Sequence, residues 1–477
     1  MKTKHWIFVL IGLVTVLRLF YINCIPLLGD EAYYWQWARH LDWGYYEQGS
    51  MVAVVIWIFT LFTKISTVFT VRLGAVVLSL GTMIATYRTY KKFNPDDADG
   101  KENLLCILLI NFSIIYAIGS VLMMHDTVMV FFYSLFLYNF LNIMEEPENN
   151  THWGHAGILL GLGIMSKLTM GTVYVAVLAF LLLTSSFKRY FKGFFLFTAM
   201  TILFTAPLIY WNMTHDLATL KYLFIRGAPG QGVTLKYFFE LIGSQLGLVS
   251  PFIFILFIPA FAGAAFKPAF EKKFAFATFF WVTIAPFLLL SIKSRVEANW
   301  PAFTFLPLFF LASPVLAAMK KGTRNAILLL SFALVLFVHV QVAWPLIRLP
   351  EKNDPLKKTY GYKELAEKIY NDYNKISGKG GAFWATRHYQ TASLLSFYMP
   401  GQPEFYILIN HESNKNYRFW KGYGKFKGAQ CLFVYNEPWE IDEMSRFFDS
   451  HDPVSTVSVP YKYGERAVFV SLMKGLR

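Results

Sequence analysis

A succession of apolar runs, most of them as long as a helix must be to cross a hydrocarbon core of ~30 Å, leaves this chain little choice of solvent. The long runs fall near residues 6–25, 71–90, 102–121, 127–144, 190–211, 238–266, 274–292, 299–319 and 324–345, with two shorter ones near 154–168 and 170–184. Backbone polar groups inside lipid must be satisfied within the segment, so these runs are expected to be helices. Composition agrees: the chain is 55% hydrophobic and only 16% charged, which is too apolar for a soluble protein of 477 residues. Phe, Tyr and Trp crowd the segment ends, where amphipathic rings settle at headgroup level. The net charge of +14 is spread over short Lys and Arg clusters between the runs and forms no continuous basic face, so nucleic acid is not the expected partner.

Orientation follows from those clusters. A further run, Met51 to Ser66, is ambiguous, and it decides the parity of everything after it. If it stays outside as a juxtamembrane or re-entrant helix, then Lys2/Lys4, Arg88/Lys91/Lys92, Lys188/Arg189/Lys192, Lys267/Lys272/Lys273 and Lys320/Lys321/Arg324 all face the cytoplasm, as basic loops prefer. The expectation is a cytoplasmic N-terminus, about eleven spans and an outer C-terminus. The N-terminal run lacks a small-x-small cleavage site and is read as a retained span. The same parity places Asp30, Glu31, Glu47, Asp126, Lys167, Arg226 and Arg295 on the outer side, although none of them was used to assign it. Several abut apolar spans, where an ionisable side chain is costly.

After Pro350 the pattern changes. Helix-like stretches (360–376, 387–399, 438–450) alternate with β-rich runs (382–385, 404–407, 431–435, 456–459, 467–472), which describes a small outer α/β domain over 351–477. Residues 1–350 form the membrane domain, with a first outer loop over 26–70. Cys24, Cys106 and Cys431 are too scattered for a disulfide framework or a zinc site.

The first outer loop reads Gly29-Asp30-Glu31-Ala32-Tyr33-Tyr34-Trp35, then Leu41-Asp42-Trp43-Gly44-Tyr45-Tyr46-Glu47-Gln48-Gly49-Ser50. Adjacent carboxylates at a span end, Asp30 and Glu31, can take a proton from a hydroxyl nucleophile, while Tyr33 and Tyr46 offer faces to a sugar ring. The structural alternative is that Asp30 caps the following helix and Glu31 favours its N-terminus. Likewise Lys167, Arg226 and Arg295 either bind a phosphate or snorkel from span ends. Asn299 either caps a span or meets substrate, and His125 is read as an interfacial hydrogen-bonding residue. Lys167 follows a span carrying Gly157, Gly161 and Gly163, suited to close helix packing. The stretch from Asn212 to Lys236, with Gly227, Pro229, Gly230 and Gly232, reads as a long gating loop.

The first-loop motif resembles that of the bacterial family 39 glycosyltransferases, the protein mannosyltransferase-like group of GT-C fold. The likeness continues through His125-Asp126, Ser166-Lys167, Trp211-Asn212, Val296-Glu297-Ala298-Asn299-Trp300-Pro301, Tyr389-Gln390-Thr391-Ala392-Ser393 and Phe397-Tyr398-Met399-Pro400-Gly401-Gln402-Pro403. The resemblance implies a polytopic helical membrane enzyme of the plasma (inner) membrane. Such an enzyme moves a sugar from a polyprenyl-phosphate donor to an acceptor on an envelope lipid, glycan or protein at the outer face, with inversion. It implies Asp30 as the catalytic base and Asp126 as a second acid, in a position that usually reads Pro-Asp. Where many relatives have Asp-His-Pro-Pro, this chain has Glu47-Gln48-Gly49-Ser50, nearer to the Glu-Lys-Pro of lipid A aminoarabinose transferases. No cofactor follows from the sequence, and Glu47 is the one carboxylate kept as a candidate ligand for a divalent metal. Two other classes stay open: a transporter of lipid-linked sugars, and a non-catalytic binder of them.

Overall fold

In a computed structural model, residues 2–226, 232–265, 269–354, 356–379, 381–408, 412–420 and 423–477 are described. The chain divides into two compact units. One comprises residues 1–24, 42–55 and 72–346, and the other comprises 25–41, 56–71 and 347–477.

Each apolar run is helical in the first unit. Six helices have the length and composition of whole spans: Thr3–Tyr21, Val68–Phe93, His125–Glu145, Phe191–Thr214, Lys272–Ser291 and Lys321–Ala343. The pair Lys236–Val249 and Pro251–Ala265 passes together but bends by 107° at Ser250, whose φ is +94°. The remaining runs are shorter or broken: Lys101–Asn111 with Ile114–Gly119, Asn150–Ser166, and the apolar helices Leu168–Leu183 and Ala302–Ala318. The ambiguous run gives a helix of only 9 residues, Met51–Phe59. At 1.5 Å per residue that is roughly 14 Å, about half of a hydrocarbon core.

Aromatic rings fill the interior of this unit. Phe136, Phe140, Phe279, Phe303 and Phe309 are essentially fully buried. The outward face of Lys321–Ala343, with Leu329, Leu336 and Phe337 exposed, is what a lipid-facing helix requires. Gly157 and Gly161 let Asn150–Ser166 approach Phe191–Thr214, since a Cβ at either would run into Phe197 and Met200 or Phe204. Two arginines escaped the sequence reading. Fully buried Arg72 donates to the Ile22 carbonyl at 2.9 Å. Arg18 donates to Asn111 Oδ1 at 2.7 Å and Ser79 Oγ at 3.3 Å, tying the first helix to two others.

The expected loop 212–236 is corrected in part, because it contains a helix, Ala218–Arg226. Asn212 Oδ1 accepts the Thr219 N–H at 3.1 Å, and this side-chain cap starts the helix in a stretch poor in apolar periodicity. Gly227, Pro229 and Gly230 lie outside the described residues.

The second unit holds a six-stranded sheet: β1 Phe383–Thr386, β2 Phe405–Tyr406, β3 Cys431–Tyr435, β4 Phe448–His451, β5 Ser455–Tyr461 and β6 Gly464–Leu476. β1 runs parallel to β2 on one side and to β3 on the other, and β6 is antiparallel to β3. The far side of β6 is shared by β5 and β4. The helix expected over 438–450 is shorter than its pattern suggested. It spans Glu440–Ser445, and Phe448–His451 is instead a strand paired with the end of β6, where the ladder overrides local propensity.

A buried ion pair closes this unit near the start of the C-terminal segment. Asp354 Oδ2 accepts from Lys462 Nζ and Tyr463 OH, both at 2.5 Å, and Oδ1 from the Leu356 N–H at 2.8 Å. Burial alone would raise the Asp354 carboxyl, but these donors hold it below 3.8. Burial would lower the Lys462 ammonium, but Asp354 and Tyr463 push it up to about 12. A depressed carboxyl stabilises the fold above its unfolded pKa, and that contribution is lost as pH falls through the folded value. A raised amine contributes fully below its unfolded pKa and is lost as pH rises toward 12. The melting temperature is expected to be flat from about pH 5 to about pH 10 in this contribution and to fall outside that range. The variant D354N should shrink both limbs in a melting series across pH.

Candidate functional site

In the membrane unit, polar chemistry gathers where two helices end and a third begins. His125–Glu145 opens with His125 and Asp126, so the Asp126 carboxylate lies in the first turn, where the helix dipole favours an anion. Lys167 sits at the break between Asn150–Ser166 and Leu168–Gly171, and its Nζ is 2.6 Å from Asp126 Oδ1. Asn299 Nδ2 donates to the other oxygen, Oδ2, at 3.0 Å. The lysine side chain is 6% exposed and the aspartate 20%, so this is a nearly dry pair that exists because each partner neutralises the other. His125 is buried beside it. Of the two readings of Asn299, the structure shows a third use, which is to fix the second oxygen of Asp126.

The half of the first loop that belongs to this unit is held against the same place. A Tyr45 N–H to Gln48 carbonyl bond of 3.0 Å makes a tight turn, and the Gln48 side chain accepts the Leu168 N–H at 3.0 Å, one residue from Lys167. Gly49 touches the Met165 carbonyl so closely that no Cβ fits. Glu47 Oε1 accepts from Tyr222 OH at 3.3 Å, Tyr46 packs on the Tyr222 ring at 4.9 Å between centroids, and Thr219 Oγ1 donates to the Tyr45 carbonyl at 2.9 Å. The helix Ala218–Arg226 therefore clamps the Tyr46–Glu47 turn. Among the described residues no group of three or more His, Cys, Asp or Glu is placed to hold a metal ion. Calcium and magnesium take six or more oxygen ligands, and Glu47 with the Tyr222 phenol does not by itself make such a set. Arg295 is exposed between Lys272–Ser291 and Ala302–Phe305. Arg226 ends its helix, and its side chain lies outside the described residues.

In the second unit, the helix Gly29–Arg39 carries the other half of the motif. Glu31, fully buried, accepts the Leu28 N–H at 3.1 Å and so closes the helix start. Asp30 does not cap the helix. Its Oδ1 accepts from Tyr389 OH and Gln390 Nε2, both at 3.1 Å, and Gln390 packs so tightly against Gly29 that a Cβ there would lie 3.2 Å away. Both of these donors bond the same oxygen, Oδ1. Tyr33 is fully buried, with its OH accepting the Asn416 N–H at 2.8 Å and its ring edge-on to Tyr389 at 4.8 Å. At the helix's other end Arg39 meets Glu404 at 2.8 Å, and His40 meets it at 3.2 Å. Burial would raise Glu404, but His40 and Arg39 keep it below 4.5. Sequence reasoning quoted Tyr389 and Gln390 only as part of a family likeness, and no local signal tied them to Asp30.

Similar proteins fit this arrangement. Residues 51–211 match the family described as dolichyl-phosphate-mannose-protein mannosyltransferase. The lipid A galacturonosyltransferase RgtD of Rhizobium johnstonii is 23% identical over 342 residues, 71% of each chain. The crystal structure of ArnT from Cupriavidus metallidurans in the apo state superposes with a TM-score of 0.71, at 11% identity over 99% of this chain and 98% of that one. The same protein bound to undecaprenyl phosphate gives 0.68, at 12% identity and 98% of both chains. The fold of ArnT is thus shared along nearly the whole length, and residues 51–211, which hold Asp126 and Lys167, are similar to the mannosyltransferase family.

Proposed function

We propose that this glycosyltransferase uses a polyprenyl-phosphate-linked sugar, of undecaprenyl type, and transfers it with inversion to an acceptor on an envelope lipid at the outer face of the plasma membrane. The observation that carries the reading is the buried Lys167–Asp126–Asn299 cluster, a fixed cation of the kind that a departing lipid phosphate would need. The acceptor oxygen attacks the anomeric carbon and gives its proton to Asp30. The bond from that carbon to the phosphate oxygen breaks, and its electron pair leaves with the polyprenyl phosphate. Negative charge grows on the departing oxygens, and Lys167 opposes it. Asp126 and Asn299 position the ammonium. Tyr46 and Glu47, clamped by Tyr222, line the donor side. Arg226 and Arg295 are further phosphate contacts in this scheme.

The likeness to a lipid A galacturonosyltransferase and to a protein solved with undecaprenyl phosphate supports a lipid acceptor and this carrier. A cytoplasmic N-terminus and an outer C-terminal domain belong to the same proposal. Mass spectrometry of envelope lipids from cells with and without the gene tests it: the expected result is one lipid species lighter by a single sugar in the deletion. Unchanged lipids with a missing sugar on protein would move the acceptor. Labelled lipid-linked sugar crossing vesicles without any transfer would replace the reading with transport.

A further inference from the structure

We propose that the membrane unit binds the headgroup of an anionic glycerophospholipid of phosphatidylglycerol type, with its phosphate on Lys4 and Lys91 and a glycerol hydroxyl on Asn103. The site is a cavity of about 90 Å³ where the start of Thr3–Tyr21, the end of Val68–Phe93 and the start of Lys101–Asn111 come together.

The three helices are joined beside the cavity by buried Ile7, Ile11, Met83 and Ile107, so its walls are fixed. Two ammonium groups line it. Lys4 and Lys91 are exposed, and neither forms an ion pair among the described residues. Lys91 Nζ stands 5.9 Å from the Tyr87 ring centroid, a contact that leaves its hydrogens for an anion. Gly100, with φ +77°, turns the chain against the stem of Lys4, so closely that a Cβ there would stand 3.5 Å from the lysine Cγ. The carboxylate in the lining, Asp97, is already engaged. Its Oδ1 accepts the Glu102 N–H at 3.1 Å and its Oδ2 the Asn103 N–H at 2.8 Å, which caps the helix Lys101–Asn111.

Asn103 narrows the choice of occupant. It lines the cavity while only 2% exposed, and its Nδ2 donates to the Tyr87 carbonyl at 3.0 Å, which fixes the amide because a carbonyl can only accept. Oδ1 is left buried, with no donor among the described residues. Such an acceptor is costly until an N–H or O–H reaches it. The lining therefore asks one molecule for an anion and a hydrogen-bond donor together. A glycerol hydroxyl beside a phosphate diester supplies both, whereas an ethanolamine headgroup brings its own ammonium against two lysines. Acyl chains have a surface to follow as well. Trp6 is 62% and Phe8 54% exposed on the first helix, and the Phe8 ring meets Tyr87 edge-on at 5.1 Å, so apolar rings adjoin the basic cavity as they do at a lipid headgroup boundary.

The test uses the full chain in detergent, with phosphatidylglycerol, phosphatidylethanolamine and soluble glycerol phosphate as separate probes of binding, read by native mass spectrometry. Phosphatidylglycerol is expected to bind about tenfold or more tighter than either of the others. The variant K4Q/K91Q should weaken it about thirtyfold, K4R/K91R should stay within about threefold of the native protein, and N103A should lose about fivefold. Lys188 and Lys192 are exposed lysines outside this cavity, so K188Q/K192Q should leave the affinity unchanged. Native affinity in K4Q/K91Q, or an equal loss in K188Q/K192Q, overturns the site, and the melting temperature of each variant shows that the fold is intact. Native affinity in N103A overturns the hydroxyl contact. Phosphatidylethanolamine bound as tightly as phosphatidylglycerol, or glycerol phosphate bound as tightly as the lipid, overturns the assignment of the headgroup.

Discussion

Replacing Asp30 by Asn should lower the turnover of sugar transfer by about a thousandfold, some 4 kcal/mol of barrier, with little change in donor affinity. The amide is isosteric, and it can still accept from Tyr389 OH and Gln390 Nε2 through its carbonyl oxygen, so the helix Gly29–Arg39 should keep its seat. What it loses is an oxygen able to take a proton. The measurement is single-turnover transfer from purified donor together with donor binding on the same preparation. Y389F is the graded companion. It removes one of two donors to Oδ1 and should cost roughly tenfold, because a misaimed base loses rate without losing its charge. If D30N transfers at the native rate, the proton goes elsewhere and the proposed role of this carboxylate is wrong.

The second large effect concerns the dry pair in the membrane unit. K167M should destabilise the protein by about 3–5 kcal/mol, because it leaves the mostly buried Asp126 charge without its cation. It should also reduce transfer more than a hundredfold, about 3 kcal/mol or more in the barrier, through the lost phosphate contact. The two consequences come apart in the double variant K167M/D126N. Removing both charges should recover most of the thermal stability, as deletion of whole buried ion pairs commonly does, yet leave transfer depressed. A double variant that regains both stability and activity would show that the pair serves only to hold three helix ends together.

How much of this could be read from the residues alone depended on the range of the interaction concerned. The apolar runs were legible because lipid forces each one to satisfy its own backbone, and each is built mainly of helix, whole or broken. Their span count was less legible, since a run such as 102–121 reads as continuous but breaks at Phe112 and Ser113 into two helices. The helix Ala218–Arg226 was missed because its cap, Asn212, lies seven residues from the N–H it receives. β4 was missed because only its pairing with β6 makes Phe448–His451 extended. At the site, Asp126 and Lys167 were named for being charged beside apolar spans, and they meet at 2.6 Å. The partners of Asp30 stand 359 and 360 residues away, beyond any pattern of spacing.

The interleaving of the two units bears on how this protein can be cut. Residues 25–41 pack as part of the body formed by 347–477, with Tyr33, Trp35 and Trp37 wholly enclosed there. A fragment ending near Pro350 would keep every apolar run but strand that helix with three large rings exposed and its aspartate shorn of Tyr389 and Gln390. The soluble-looking tail, expressed by itself, would lack the piece that fills its own interior. Tail and helix must therefore be inherited, swapped or redesigned together, so a chimaera joined at the hydrophobicity boundary would be severed inside a folding unit.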